Sequence, residues 1–551
     1  MTRVFVLGID GGTFDLIRPW VKQGKLPTFK KLIKGGVSGN LYSTIPPLTG
    51  PAWISMITGK NPGKHGCFDF MKWKKGSYER EPIDPVSLRD KTLWNIISGA
   101  GKRMCAINVP VTYPPQKVNG YLVAGLLTPS LKAELTYPSG FKKELLARVP
   151  GYRITTGMSF QPGKEKQLIE ELYEITRQRT KLIKYMYKKE EFDFFMAVYG
   201  SPDIFTHYFW HHMDEKHPLH NPEKAKEFGN ALLDYYIFLD KQIKMLMDMM
   251  RKDTLLIMVS DHGLGPYEKG VYINSWLMKK GYLKLKSEAS TKLKYGLHMT
   301  GINLDNIYRF IQKLGLLNTT LLSKIGLNIS MDKRSESIRK KVFRLFPIFL
   351  NFNDVDWKKT KAYSIGGYGQ IYINLKGREP QGIVSKKDYN KVRDRLIRDL
   401  KKIVDPETHK PIDIKVLKKE GIYKGPYLKN APDLFFIMKN FRYIAARYFE
   451  FGSPHLFGKP HRNLAGCHRL NGVFLAYGKE VQKGKIRNAS ITDIAPTVLH
   501  ALGVDVPKDM DGMVLRDVYK KNSGLWKQKV AYAKGAKEKQ KIVSVMDKIK
   551  L

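Results

Sequence analysis

The chain reads as an α/β protein, a mostly parallel sheet sandwiched by helices with a helical cap inserted late in the sequence. Three observations lead there. Short, wholly apolar runs stop abruptly at acidic or histidine residues, amphipathic helical stretches separate them, and the texture changes between about 280 and 360. A strand covered by helices on both faces needs no polar alternation, so uninterrupted apolar runs point to buried parallel strands.

In chain order, the first run is Val4-Phe-Val-Leu-Gly-Ile9, which stops at Asp10-Gly-Gly-Thr13. Leu26 to Gly35 follows as a helix, with proline near its start and glycine at its stop. In the segment from 46 to 66, Pro51 belongs in the first turn of a helix that runs to about Thr58 and is closed by Gly59. Residues 165 to 190 carry apolar side chains at helical spacing with lysines opposite. The run Phe194 to Tyr199 then enters Gly-Ser-Pro-Asp203. A further helical stretch spans 222 to 251 through Leu232, Leu233, Tyr236, Leu239 and Met245, and Leu255 to Val259 runs into Ser-Asp-His-Gly263. From about 280 to 360 lysines are frequent, helical segments are short and strand-to-acid signatures vanish, which reads as a cap placed over the site. Strands resume at Ala362-Tyr-Ser-Ile and Gln370 to Asn374. The expected organisation is a core from 1 to 279, the cap, a second part of the core from 361 to 519, and a basic tail from 520 to 551.

Composition bounds the function. At 551 residues the chain is long enough for two domains or one large domain with insertions, and 42% hydrophobic with 11% aromatic content excludes a disordered or collagen-like chain. Ninety-five Lys and Arg against 51 Asp and Glu leave a net charge of +44. That excess calls for anionic company: a phosphorylated small-molecule substrate, and nucleic acid or an acidic membrane surface through the basic surface and tail, where ten lysines face two acids. Cys67, Cys105 and Cys467 are odd in number and far apart, which excludes a disulfide framework and fits a reducing compartment. The apolar stretch after Arg3 is too short for a secretory signal, and no run of 18 apolar residues offers a transmembrane helix. The expectation is a cytoplasmic protein.

In open α/β sheets, ligands bind beyond the carboxyl ends of the strands. Three strands that end in Asp10, in the Asp203 segment and in Asp261-His262 are therefore aimed at one edge. His207 follows Asp203 by one helical turn, and His468 precedes the apolar run Val473 to Tyr477. Three aspartates and three histidines form a donor set suited to zinc, manganese or another first-row divalent ion, and six ligands exceed what one catalytic zinc needs. A pair of ions can clamp the attacking and leaving oxygens of an in-line phosphoryl displacement. Thr49, at a helix N-terminus that favours anions, supplies a hydroxyl nucleophile once its proton is removed; judged alone, it reads sooner as a helix cap, and the six ligand-type residues reverse that balance. His211, His212, His217 and His220 read as surface or supporting residues rather than ligands.

Together these residues resemble the alkaline phosphatase superfamily, and within it the type I phosphodiesterases and nucleotide pyrophosphatases. The resemblance rests on Leu7-Gly-Ile-Asp-Gly-Gly12, Thr49 to Gly66, Ser201 to His207, Val259 to Gly263 and Gly466-Cys-His-Arg469. Ala431-Pro-Asp-Leu434 and Thr492 to Gly503 serve as C-terminal landmarks. It implies an alkaline-phosphatase-like core and a two-metal phosphoester hydrolase. One ion would be held by Asp10, Thr49, Asp261 and His262 and the other by Asp203, His207 and His468. The ions expected are zinc, or manganese in its place. Thr49 would form a phospho-threonine intermediate, which water then hydrolyses. Nucleotide pyrophosphatases usually carry Asn three residues after the nucleophile, where this chain has Ala52, so the backbone N–H of Gly50 is the expected substitute for binding a phosphoryl oxygen. No arginine stands beside Thr49 as a dedicated monoesterase would use, and Thr49-Gly-Pro-Ala-Trp53 lacks the nucleophile and arginine of a sulfatase. The competing readings are a phosphomutase of the phosphoglycerate mutase type, whose nucleophile is serine, and a basic nucleic-acid or membrane-surface binding protein with an inactive site.

Overall fold

The computed structural model describes residues 2–74, 76–83, 92–157, 160–313, 349–447 and 450–533. A ten-stranded sheet forms its larger layer. At its centre Arg3–Ile9 lies between Phe194–Tyr199 and Thr254–Val259, all three parallel. Met104–Val109 and Gly120–Ala124 extend the parallel part on one side. On the other side Asn471–Tyr477 runs antiparallel to both Thr254–Val259 and Val37–Tyr42. The three central strands are buried along nearly their whole length, as wholly apolar runs require.

Successive side chains of a strand point to opposite faces, and each face has its own helical layer. Phe5 and its neighbour Phe195 meet Tyr187 of helix Glu165–Lys189. Phe194, in register with Val4, meets Trp94 of helix Leu93–Gly99. The first layer also holds Pro27–Gly35, Ser201–Met213 and Ala231–Met249, and the second holds Thr49–Thr58 and Ile494–Ala501. The helical stretch read from 222 to 251 is two helices, Pro222–Phe228 and Ala231–Met249. The first ends at Gly229, whose N–H donates to Ala225 O, before the chain restarts at Asn230.

After Thr254–Val259 the chain leaves this sheet and returns to it only at Asn471–Tyr477. In between it builds a second, seven-stranded sheet in the order Ala362–Ser364, Gln370–Ile373, Leu434–Met438, Tyr443–Ala445, Lys269–Val271, Phe457–Gly458, with Ile414–Lys418 paired to Leu434–Met438. This sheet has its own apolar core, including Trp276, Leu277, Tyr363, Ile373, Leu396 and Phe436. The strands expected at 362 and 370 are thus present, and they belong to this smaller sheet. Within the stretch from 280 to 360, helices Ala289–Met299 and Leu304–Lys313 are described, and a bridge between Leu285 and Val355 ties its two ends together. Residues 314–348 of the expected cap and 534–551 of the expected tail lie outside the described residues.

The smaller sheet is locked by one buried carboxylate. Asp433 is fully buried and accepts hydrogen bonds from both Nη atoms of Arg378, from Nζ of Lys419, from the Tyr389 hydroxyl and from the Ile373 N–H. Burial alone would favour its neutral form, but these partners outweigh it, Arg378 foremost, and hold the carboxyl down at about 2.

All three cysteines are unpaired and buried. Among the described residues no helix is long and apolar enough to cross a membrane.

Candidate active site

Asp10 follows the central strand directly, and its N–H donates to Tyr199 O at the end of the neighbouring strand. Asp203 sits in the first turn of helix Ser201–Met213, and His207 one turn later on the same face. Asp261 and His262 follow Thr254–Val259. Three adjacent parallel strands therefore deliver their acidic residues to one edge. The turn after Asp10 depends on Gly11, which has φ +67°; a Cβ there would lie 2.4 Å from Leu264 and 3.0 Å from Asp203. The Gly11 N–H points at Asp261 Oδ1, 3.3 Å away.

His468 comes from elsewhere. It lies on Gly466–Arg469, which pairs with Gly263–Pro266 so that His468 stands opposite Leu264, just past His262. The His262 and His468 rings stack with centroids 3.6 Å apart.

Thr49 is the first residue of helix Thr49–Thr58, and Gly59 closes that helix in the left-handed conformation. Leu48 occupies the cap position and no side chain caps the helix, so capping does not account for Thr49. Its hydroxyl lies 3.2 Å from His262 Nε2. Gly50 is the second helical residue, so its N–H belongs to the first turn, where backbone donors lack intrahelical acceptors. Pro51 has no N–H, and the Ala52 N–H is committed to Leu48 O. At the other end of this helix, Lys60 pairs with Asp509, Asn61 donates to Asp511, and Gly59 O accepts from the Asp511 and Gly512 N–H groups. The C-terminal region thus anchors the segment that presents Thr49.

All three imidazoles adopt one tautomer. Nδ1 of His207 donates to Gly466 O at 2.6 Å, Nδ1 of His468 to Pro47 O at 2.6 Å, and Nδ1 of His262 to Gly263 O at 3.2 Å. A carbonyl oxygen only accepts, so in the neutral ring each Nε2 is the lone-pair atom. These lone pairs converge: Nε2 of His207 and His468 are 2.9 Å apart, and both are 3.4 Å from Asp203 Oδ1. Nε2 of His262 is 3.6 Å from Asp10 Oδ1 and 3.2 Å from Asp261 Oδ2.

Those same oxygens, Asp10 Oδ1, Asp203 Oδ1 and Asp261 Oδ2, are buried without a hydrogen-bond partner. Carboxylate oxygens and imidazole lone pairs repel one another unless something positive lies between them. Burial, then the charges of Asp261 and Asp203, push Asp10 well above the ordinary carboxylate range. Burial, then Asp203, push Asp261 up to about 8. Burial, then the positive form of His468, hold His262 well below the ordinary imidazole value. This donor set fits divalent cations. Among the described residues two groups have the required spacing, Asp203 with His207 and His468, and Asp10 with Asp203 and His262. Asp203 is common to both, whereas the resemblance assigns it to one ion only; Asp261 and Thr49 flank the second group. Carbonyl-oriented imidazoles of this kind are the usual support of metal-binding histidines.

His211, His212, His217 and His220 contribute no donor to either group. His217 is buried and donates to Ala465 O, bracing the strand that carries His468, while His212 packs between Phe209 and Phe228. Two further side chains at the site are not singled out by the sequence. Trp53 Nε1 donates to Asp10 Oδ2 at 3.4 Å, one helical turn after Thr49; its place in that helix is the one local signal. Tyr368, from the smaller sheet, packs on His468 and has no motif around it.

The family model for type I phosphodiesterase / nucleotide pyrophosphatase matches residues 4–453. No curated protein matches the chain in sequence. Among solved structures, phosphonoacetate hydrolase from Sinorhizobium meliloti 1021, in complex with phosphonoformate, is 14% identical with a TM-score of 0.51, over 91% of this chain and 95% of its own. Murine ectonucleotide pyrophosphatase / phosphodiesterase 5, an inactive variant in complex with AMP, is 13% identical with a TM-score of 0.47, over 92% and 96%. The human form of that protein is 14% identical with a TM-score of 0.46, over 92% and 96%. With its alkaline-phosphatase-like fold and a model match over most of its length, the chain belongs to the type I phosphodiesterase / nucleotide pyrophosphatase family of phosphoester hydrolases.

Proposed function

We propose that the protein hydrolyses a phosphodiester or pyrophosphate bond of an anionic small molecule, with Thr49 as nucleophile beside a two-cation centre. The observation that carries this reading is the Thr49 hydroxyl, 3.2 Å from His262 Nε2, at the rim of three carboxylates that each keep one buried oxygen unpartnered.

Asp203, His207 and His468 would hold one divalent ion, and Asp10, Asp261 and His262, with Thr49, the other. Bound there, the ions would lower the pKa of the Thr49 hydroxyl and offset charge on the phosphoryl oxygens. Everything else falls to the chain. The first helical turn presents the Gly50 N–H to a phosphoryl oxygen, and the positive end of the helix dipole favours the anion. Thr49 Oγ1 attacks phosphorus, the leaving-group oxygen departs opposite it, and the phospho-threonine is opened by water in the second half of the cycle. Carbonyl anchors on all three imidazoles hold the donors in place through both halves. Zinc is the expected ion, and manganese the other that this mix of oxygen and nitrogen donors accepts.

The test is the Thr49→Ala variant, assayed on aryl phosphodiesters, monoesters and nucleotides with added zinc or manganese. Turnover is expected to fall by about three orders of magnitude or more, because the nucleophile is gone. Bound metal, measured by elemental analysis, is expected to persist because six side-chain donors remain. Full activity in this variant ends the nucleophile assignment.

A further inference from the structure

None of the candidate metal donors comes from the smaller sheet, yet one ring at the site does. Tyr368 lies in the loop between Ala362–Ser364 and Gln370–Ile373, at the edge of that sheet. Its ring stacks on His468 at 5.2 Å between centroids and 29° between planes. His468 also stacks on His262, 3.6 Å away. The three rings form one pile, Tyr368 over His468 over His262. The His468 N–H also donates to the Tyr368 hydroxyl at 3.2 Å, so the tyrosine grips both the ring and the backbone of the same residue.

The backbone of this loop is unusual for what it carries. Tyr368 has φ +63°, a conformation a bulky residue seldom adopts unless its surroundings impose it. The next residue, Gly369, has φ +79°, and a Cβ on it would lie 2.0 Å from Phe436 O, so strand Leu434–Met438 presses directly against the loop. The smaller sheet therefore holds a tyrosine in a disfavoured conformation, and that conformation lays its ring against His468.

We propose that Tyr368 is a positioning residue for His468, by which the smaller sheet sets the geometry of the metal centre. The proposal deepens the two-cation reading and rests on it. Two directions of the His468 ring are already fixed, by Pro47 O at Nδ1 and by the stacked His262. Tyr368 adds a third restraint, so that Nε2 keeps its aim at Asp203 and His207. Residues that orient a metal ligand typically change metal affinity by about 10- to 100-fold when removed.

Tyr368→Gly accepts the positive φ while removing the ring, and it also gives up packing against Phe441, so binding is compared where the metal-free variant is folded. Zinc affinity is measured by competition with a chromophoric chelator, and thermal stability is measured on the metal-free protein. The expected result is zinc binding about tenfold or more weaker at a temperature where the metal-free variant is still folded. Tyr368→Phe keeps the stack and is expected to bind zinc within about threefold of the parent, a loss smaller than that from removing the ring. Parental affinity in the glycine variant overturns the proposal while leaving the two-cation reading intact. So does a phenylalanine variant as weak as the glycine one. A parent protein that binds neither zinc nor manganese overturns both.

Discussion

Two of the places where this molecule buries carboxylate oxygens treat them in opposite ways. In the smaller sheet, Asp433 is surrounded by two cationic side chains, a phenol and a backbone N–H, and its carboxyl is held down at about 2. At the edge of the larger sheet, Asp10, Asp203 and Asp261 are crowded together, each with one oxygen unpartnered, and Asp10 and Asp261 are pushed upward by burial and by neighbouring carboxylates. The first arrangement supplies its own counter-charge and serves the fold. The second omits it and leaves donors whose spacing fits a cation from outside. Burial of an acid by itself says nothing about function; what distinguishes the two is whether the lone pairs already have partners.

The contrast can be broken most forcefully at Asp433. Asp433→Ala leaves Lys419 buried without its anion and leaves Arg378 with Glu379 alone, and is expected to cost about 3–5 kcal/mol in denaturant unfolding. Next in size is the effect of the ions themselves. Zinc at about one hundred times its dissociation constant is expected to stabilise the protein by about 2.7 kcal/mol, and a chelator to reverse this, read as a shift in melting temperature. In Asp261→Ala both the metal content and this shift should fall, together with turnover; unchanged metal stoichiometry would remove Asp261 from the centre.

A third effect is acid sensitivity. The Asp433 carboxyl is depressed from 3.8 to about 2, so its contribution is present above pH 3.8 and is lost as pH falls towards 2. That contribution is about 2 kcal/mol, and an acid titration followed by circular dichroism should show it in the parent and not in Asp433→Asn. The smallest effect has the opposite sign. Asp10→Asn removes one of three mutually repelling carboxylates and is expected to stabilise the metal-free protein slightly while weakening zinc binding.

Much of the larger sheet was legible because its signals are local. Val4 to Ile9 and Leu255 to Val259 announce buried strands by composition, and the residues that end them, Asp10 and Asp261-His262, mark the edge where ligands bind. Thr49 was legible through Pro51 and Gly59, which bracket its helix. The smaller sheet was not separated from the larger because its strands are short and pair over long sequence distances, as Lys269–Val271 does with Tyr443–Ala445. Asp433 stood out only as part of a family landmark, since Arg378 and Lys419 carry no motif that ties them to it. The carbonyls of Pro47, Gly263 and Gly466, which fix the imidazole tautomers, belong to the backbone and leave no trace in side-chain identity. Tyr368 sits in a glycine-rich loop whose conformation no periodicity announces.

The long excursion between Val259 and Asn471 has a consequence for the order in which the molecule is made. During synthesis Asp10, Asp203 and Asp261 emerge well before His468, which follows only after the whole smaller sheet. A nascent chain halted before residue 466 therefore owns the acids but lacks the last imidazole and the strand that presents it. On the two-cation reading, complete cation capture would be a late event in biogenesis, and ion loading would report that the ribosome has passed the second sheet.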